Sequence, residues 1–168
     1  MKIKIKKLVD HAVIPKYAKA GDGALDLTAI SKELDEYGNV VYGTGLAFEI
    51  PDGFFMMLLP RSSNCKSDLM LTNHCGIVDS GYRGEVSFKF APYQRLRTRD
   101  VVIKNAVGLT DLLYRPYHKV PKETFHDYEI GDRVGQLIVL PYPTVEFEEV
   151  EELSQTERGQ SGYGSSGK

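Results

Sequence analysis

Apolar and polar residues alternate at period two through KIKIK (2–6), and short β-rich runs follow along most of the chain. VVYGTGLAFEI (40–50), GFFMMLLP (53–60), LMLTNHCGIV (69–78), EVSFKFAPY (85–93), DVVIKN (100–105), VGQLIVLPY (134–142) and TVEFEEV (144–150) are rich in β-branched and aromatic residues. Gly, Pro, Asn or Asp often separates them, which is how strands are punctuated. No long stretch holds a helical period. Two short helices are expected, one after Ser62 and one in VGLTDLLYR (107–115). Many short strands in one chain predict an all-β fold, a jelly-roll-like barrel or sandwich.

The 168 residues fit one domain with a single core. The body is expected over 1–155, and a flexible C-terminal arm over 156–168, where no apolar run remains to bury. From about 94 to 127 the chain turns basic and then tyrosine-bearing (Arg95, Arg97, Arg99, Tyr114, Tyr117), which reads as an insertion between core strands. That stretch is a solvated surface loop or a surface for a regulatory protein partner. A formal net charge of −2 gives no overall positive field to recruit nucleic acid or an anionic membrane. No apolar run is long enough to span a bilayer, and the basic start lacks the apolar core of an export signal. Two cysteines are too few for a disulfide framework. Cys65, His74, Cys75 and His126 lack the paired short spacings of a zinc site. A cytoplasmic setting is the expectation.

Five stretches carry candidate chemistry. AGDGALDLTA (20–29) reads as a turn at Gly21 and Gly23 leading into a strand, with Asp22 and Asp26 either solvated or, four apart, sharing one strand face. PRSSNCKSDL (60–69) ends an apolar strand on Arg61, Ser62 and Ser63, a guanidinium and hydroxyls suited to phosphate; an ordinary helix cap would look the same. NHCGIVDSGYRGEVSF (73–88) reads as a β-hairpin bearing Asp79 and Tyr82, either plain turn residues or a carboxylate to activate water beside a ring to flank a flat ligand. YEIGDRVGQLIVLP (128–141) interrupts a buried strand with Gln136, which needs a polar partner. ERGQSGYGSSGK (157–168) combines Arg158 and Tyr163 with glycines and serines; such a tail could wrap a phosphorylated, aromatic ligand.

In this order, ALDL, PRSS, GIVDSGYRG, GDRVGQL and RGQSGYGSSG resemble the five motifs of the trimeric deoxyuridine triphosphate nucleotidohydrolases (dUTPases). The resemblance covers most of the chain outside 94–127, where longer connections are familiar in phage members. It implies Mg²⁺-dependent hydrolysis of dUTP to dUMP and pyrophosphate, supplying dUMP for thymidylate synthesis, in a bacterial or phage-infected cell. Asp79 resembles the catalytic base, and Tyr82 the ring that packs under deoxyribose and leaves no room for a 2′-hydroxyl. Asn73, with hairpin backbone groups including Gly76 and Val78, resembles the uracil-reading site. Arg61, Ser62, Ser63 and Gln136 resemble phosphate-side contacts, and Asp26 a supporting carboxylate. Arg158, Tyr163, Gly164, Ser165 and Ser166 resemble a closing arm, with the arginine towards the γ-phosphate. No side chain is expected to hold Mg²⁺ directly; phosphates and water would. The family builds each site from three subunits.

The sequence departs from the family at Gly23-Ala24, at Ser63-Asn64, where Gly and an apolar residue are common, and at Tyr163, where Phe is usual. The alternatives are a dCTP deaminase or bifunctional deaminase–dUTPase of the same fold, whose hairpin typically reads Asp-Pro-Gly-Trp. A non-catalytic partner-binding protein using 94–127 is the third.

Overall fold

The computed structural model describes residues 1–92 and 126–161. Among the described residues ten strands make up three antiparallel sheets. β1 (Lys4–Lys7) pairs with β5 (Leu46–Glu49). β2 (Leu25–Thr28), β10 (Arg133–Pro141), β6 (Phe54–Leu59) and β8 (Gly76–Val78) form a second sheet in that spatial order. β3 (Ser31–Leu34), β4 (Val40–Gly43), β9 (Ser87–Pro92) and β7 (Leu69–Leu71) form the third. This is the all-β, jelly-roll-like barrel that the alternation implies.

The two four-stranded sheets face one another across the core. Leu27, Met56, Leu58, Val78, Val134 and Leu137 point in from one, and Val40, Tyr42, Leu69, Leu71, Phe88 and Phe90 from the other. Each such side chain contributes about 1.5–3 kcal/mol by leaving water. Tyr42 meets Phe90 edge-on at 5.8 Å and Tyr128 at 5.9 Å. The sheets close most tightly at Gly135. A Cβ there would lie 2.1 Å from the buried Phe88 ring, so only glycine fits.

β10 runs nine residues through the middle of its sheet, between β2 and β6. Its register against β2 shifts between Arg133 and Gly135. The extra residue is Val134, which is fully buried. A bulge of this kind moves the residues before it onto the other face of the strand.

Several expectations need correction. LMLTNHCGIV and VVYGTGLAFEI each divide into two strands. The first breaks at a turn through Asn73 and Cys75, where His74 adopts φ 59°. The second breaks at Gly45, with φ 66°. The stretch from 73 to 88 is not a hairpin: β8 pairs with β6 and β9 with β4 and β7, so the loop after Val78 crosses from one sheet to the other. TVEFEEV forms no strand, and Val145, Phe147 and Val150 are exposed there. Alternation alone does not make a strand without a neighbour to bond. The helix after Ser62 is a 3₁₀ helix, Ser62–Lys66, and its N-cap is Arg61 rather than a serine, without a side-chain capping bond. DVVIKN, VGLTDLLYR and all of the insertion except His126 and Asp127 lie outside the described residues.

Candidate active site

Strand pairing joins the first, second and fourth motifs. Gln136 on β10 stands opposite Asp26 on β2 and opposite Leu59 on β6. Half-buried, it donates its side-chain amide to the carbonyl of Pro60 at 3.0 Å, which supplies the polar partner its place in an apolar run demands. Arg61, two residues beyond Leu59, turns back onto Asp26. Its Nε donates to Oδ1 at 2.7 Å and its Nη2 to Oδ2 at 3.3 Å. Nη1 of Arg61 also donates to Ser63 Oγ at 3.1 Å.

A second guanidinium, unforeseen in the sequence, completes the cluster. Arg133 Nη1 reaches Asp26 Oδ2 at 3.0 Å. Gln136 lies three positions after Arg133, which on a regular strand puts them on opposite faces. The bulge restores parity: Arg133 pairs with Thr28 and Gln136 with Asp26, two positions on the same face of β2. The only sequence signal was a cation next to the Gly131-Asp132 turn. Two guanidiniums share one carboxylate, so the cluster keeps net positive charge. The Asp26 side chain is 20% exposed and that of Arg133 54%, leaving the second arginine open to a further anion. Ser62 is exposed beside it.

The third motif forms a separate cleft of about 240 Å³. Asn73, Gly76, Val78, Asp79 and Tyr82 line it together with Leu58 and Glu85. Gly76 lies close under Asn73 and Leu58, with room for a Cβ only at 3.2–3.3 Å from each. Asp79 and Tyr82 are both exposed at its rim. The tyrosine ring folds back over Gly84, and its hydroxyl donates to the carbonyl of Glu85 at 3.0 Å. The loop's exit is pinned three times. Thr44 Oγ1 donates to Val86 O at 2.6 Å, Val86 N–H to Leu46 O at 2.9 Å, and Gly45 N–H to Glu85 Oε1 at 2.7 Å. These bonds fix the ring's seat on an otherwise exposed loop.

The two groups do not meet within one chain. β6 and β8 pair Met56 with Val78, so Asp79 continues towards Phe55, while Arg61 leaves the opposite end of β6. Six strand residues separate them, roughly 20 Å at about 3.3 Å each. Arg158 joins neither group; it is exposed, and its Nε donates to Ser161 O at 3.1 Å. Tyr163, Gly164, Ser165 and Ser166 lie outside the described residues.

The chain is thus an all-β barrel with a cationic, hydroxyl-bearing strand end and a cleft that sets a carboxylate beside a ring, groups whose chemistry suits an anion and a flat, compact group. The comparisons specify it further. The dUTPase family model matches residues 10–129 and 122–167. The chain is 37% identical over 169 residues to the deoxyuridine 5'-triphosphate nucleotidohydrolase of Helicobacter hepaticus, covering 99% of this chain and 89% of that protein. It is 35% identical over 170 residues to the protein of the same name from Nautilia profundicola, covering 100% of each. The Staphylococcus bacteriophage 80alpha dUTPase with dUPNHPP superposes with a TM-score of 0.70 at 26% identity, covering 99% of this chain and 98% of that one. A mutant dUTPase of phage phi11 of S. aureus, described with a structural Mg(II) ion, shares the fold (TM-score 0.63, 21% identity, 90% and 98% covered). The chain belongs to the dUTPase family.

Proposed function

We propose that the protein hydrolyses dUTP to dUMP and pyrophosphate, with Asp79 as base, in an assembly of three copies. The family membership and the relatives' shared activity support the reaction. The observation that carries the residue roles is the cleft, where a carboxylate and a firmly seated ring share one loop over Asn73 and Gly76.

Water adds to the α-phosphorus, Asp79 takes its proton, and pyrophosphate departs from the opposite side. Tyr82 packs against the deoxyribose, and its fixed seat leaves no space for a 2′-hydroxyl. Asn73 and the backbone around Gly76 and Val78 match the edge of uracil. Arg61, Ser62, Ser63 and Gln136 orient the phosphates, and Asp26 holds the arginine still, so little reorganisation accompanies the reaction. Arg158 brings further positive charge to the outer phosphates, while Tyr163 and the following glycine and serines close the arm over the nucleotide. Ordering 156–168 costs conformational entropy, so the arm is expected to close only on bound substrate.

Among the described residues no group of three or more His, Cys, Asp or Glu stands together as a metal cage. The donors at the phosphate side are cations and hydroxyls, with a carboxylate already shared by two arginines; they fit an ion that arrives on phosphates and water. Mg²⁺ bound in that way would neutralise phosphate charge and fix the triphosphate's conformation.

The roughly 20 Å between Asp79 and Arg61 supports a site completed by a second copy, whose strand end would face the cleft of the first. The arm would come from a third. Among the described residues no helix is long and apolar enough to cross a membrane, and we place the protein in the cytoplasm. The deaminase alternative calls for a catalytic glutamate, and Glu85 is the one in the cleft. Its carboxylate is engaged with Gly45 N–H in holding the corner of the loop, which favours hydrolysis. Pyrophosphate release measured across dUTP, dTTP, dCTP and UTP, with ammonia measured from dCTP, tests the reading. Release is expected from dUTP alone. Ammonia from dCTP, or equal rates on dTTP, would overturn it, and full activity from a monomer would remove the shared site.

A further inference from the structure

Where the family commonly has glycine and an apolar residue, this chain has Ser63 and Asn64, and both are used. Ser63 accepts from Arg61. Asn64 is the hub of the 3₁₀ turn. Its backbone N–H donates to Arg61 O at 2.9 Å, its carbonyl accepts from Ser67 N–H at 3.0 Å, and its Nδ2 donates to Leu69 O at 3.1 Å. Its Oδ1 accepts from Ser67 Oγ at 3.1 Å and from Tyr128 Oη at 3.0 Å.

Tyr128 belongs to the core, 8% exposed and packed on Tyr42 and Phe90. Its backbone is fixed from both sides: Tyr42 Oη donates to its carbonyl at 3.0 Å and accepts from its N–H at 3.2 Å. Two residues earlier, His126 N–H donates to Asp68 Oδ2 at 2.9 Å, and Asp68 N–H donates to His126 O at 2.7 Å. The segment 126–128 is thus tied along the far end of the turn that carries Arg61, Ser62 and Ser63. Burial pushes the Tyr128 phenol above its ordinary pKa, against the opposing pull of the nearby Ser67 and Ser63 hydroxyls and of Arg61, so it remains an O–H donor at neutral pH.

We propose that Tyr128 is a positioning residue for the phosphate side of the site: through Asn64 it anchors the Ser62–Lys66 turn to the core and so sets the direction of Arg61, Ser62 and Ser63. This rests on the phosphate-side role assigned to those three residues. The bond needs the polar acceptor that Asn64 supplies, which an apolar residue at 64 would not.

Tyr128→Phe removes the hydroxyl and keeps the ring. Two readouts separate positioning from bulk stability. The first is hydrogen exchange of the amides of 61–67 without nucleotide, with Tm as control. The second is affinity for dUMP and for a non-hydrolysed dUTP analogue, with KM and kcat for dUTP alongside. Expected are faster exchange confined to 61–67, about fivefold weaker binding of the triphosphate analogue, as for one lost hydrogen bond, a similar rise in KM, and unchanged dUMP affinity. Asn64→Leu combined with Tyr128→Phe restores an apolar pairing and is expected to cost less than the two single changes together. Unchanged exchange and unchanged analogue affinity would overturn the proposal, as would equal losses for dUMP and the triphosphate. Wild-type protein that fails to hydrolyse dUTP would sink the functional reading alone, while the exchange comparison still tests the anchor.

Discussion

Tyr82 is exposed, so nothing in the core holds its ring; its bond to Glu85 seats it over position 84, where it fits only because no side chain stands there. An ideal Cβ on Gly84 would lie 2.4 Å from Tyr82 Oη, 2.5 Å from Cζ and 3.0 Å from Cε2. Ordinary contact begins near 3.4 Å, so Gly84→Ala must displace the ring by about 1 Å. The backbone at 84 has no left-handed φ, and alanine suits it without strain. The displacement also breaks the 3.0 Å bond from Tyr82 Oη to Glu85 O, worth about 1 kcal/mol. A contact that selects deoxyribose by shape loses most of its value when it shifts that far. Together these effects amount to about 1–2 kcal/mol, or roughly 5–30-fold in kcat/KM for dUTP. UTP gains room for its 2′-hydroxyl, so the dUTP-to-UTP ratio of kcat/KM is expected to fall at least tenfold. Thermal stability should fall by only about 2–4 °C in Tm, because an exposed ring moves into solvent and a single hydrogen bond is lost. Gly81→Ala is the control: it sits in the same loop with nothing within 4 Å of its Cβ, and wild-type discrimination is expected. Steady-state kinetics on both nucleotides for both variants is the assay. An unaltered ratio in Gly84→Ala would show that Tyr82 does not read the sugar.

Asp79→Asn should bind a non-hydrolysed dUTP analogue as wild type does while turnover falls about 10²–10⁴-fold; retained hydrolysis would exclude Asp79 as base. Removing residues 156–168 should leave the circular dichroism and Tm of the barrel intact and cut kcat severely, and near-normal turnover would refute the closing arm. Gly135→Ala drives a methyl into the fully packed Phe88 ring and should cost about 1–3 kcal/mol by denaturant unfolding. Asp35 tests acid stability. Bonds from the Asn39 side chain and backbone, with the Lys89 ammonium at 2.9 Å, hold its carboxyl well below the usual 3.8. A carboxyl depressed on folding stabilises the protein above its unfolded pKa, and that stability drains away as pH falls through the folded value. Asp35→Asn should therefore flatten the loss of stability below about pH 4 and leave the slope near neutrality unchanged; equal acid slopes for the two proteins would contradict this.

Much of the molecule was legible because strands and turns are local events. Short β-rich runs between turn residues announced β6, β9 and β10, and the order of five short motifs announced the family. Residue types at Arg61, Asp79 and Tyr82 already carried their chemistry. Sequence could not supply pairing, which depends on contacts between residues far apart along the chain. The run at 144–150 alternates as well as any true strand and has no neighbour to bond within the described chain. The loop from Asp79 to Gly84 has the composition of a hairpin turn, yet it bridges two sheets, since its flanking strands find better partners in β6, β4 and β7. Arg133 reaches Asp26, 107 positions away, only because the bulge at Val134 reverses the parity of β10. Composition and order settled which groups were available; packing across the sheets settled which groups face each other, and left Asp79 and the Arg61–Asp26–Arg133 cluster towards opposite ends of β6.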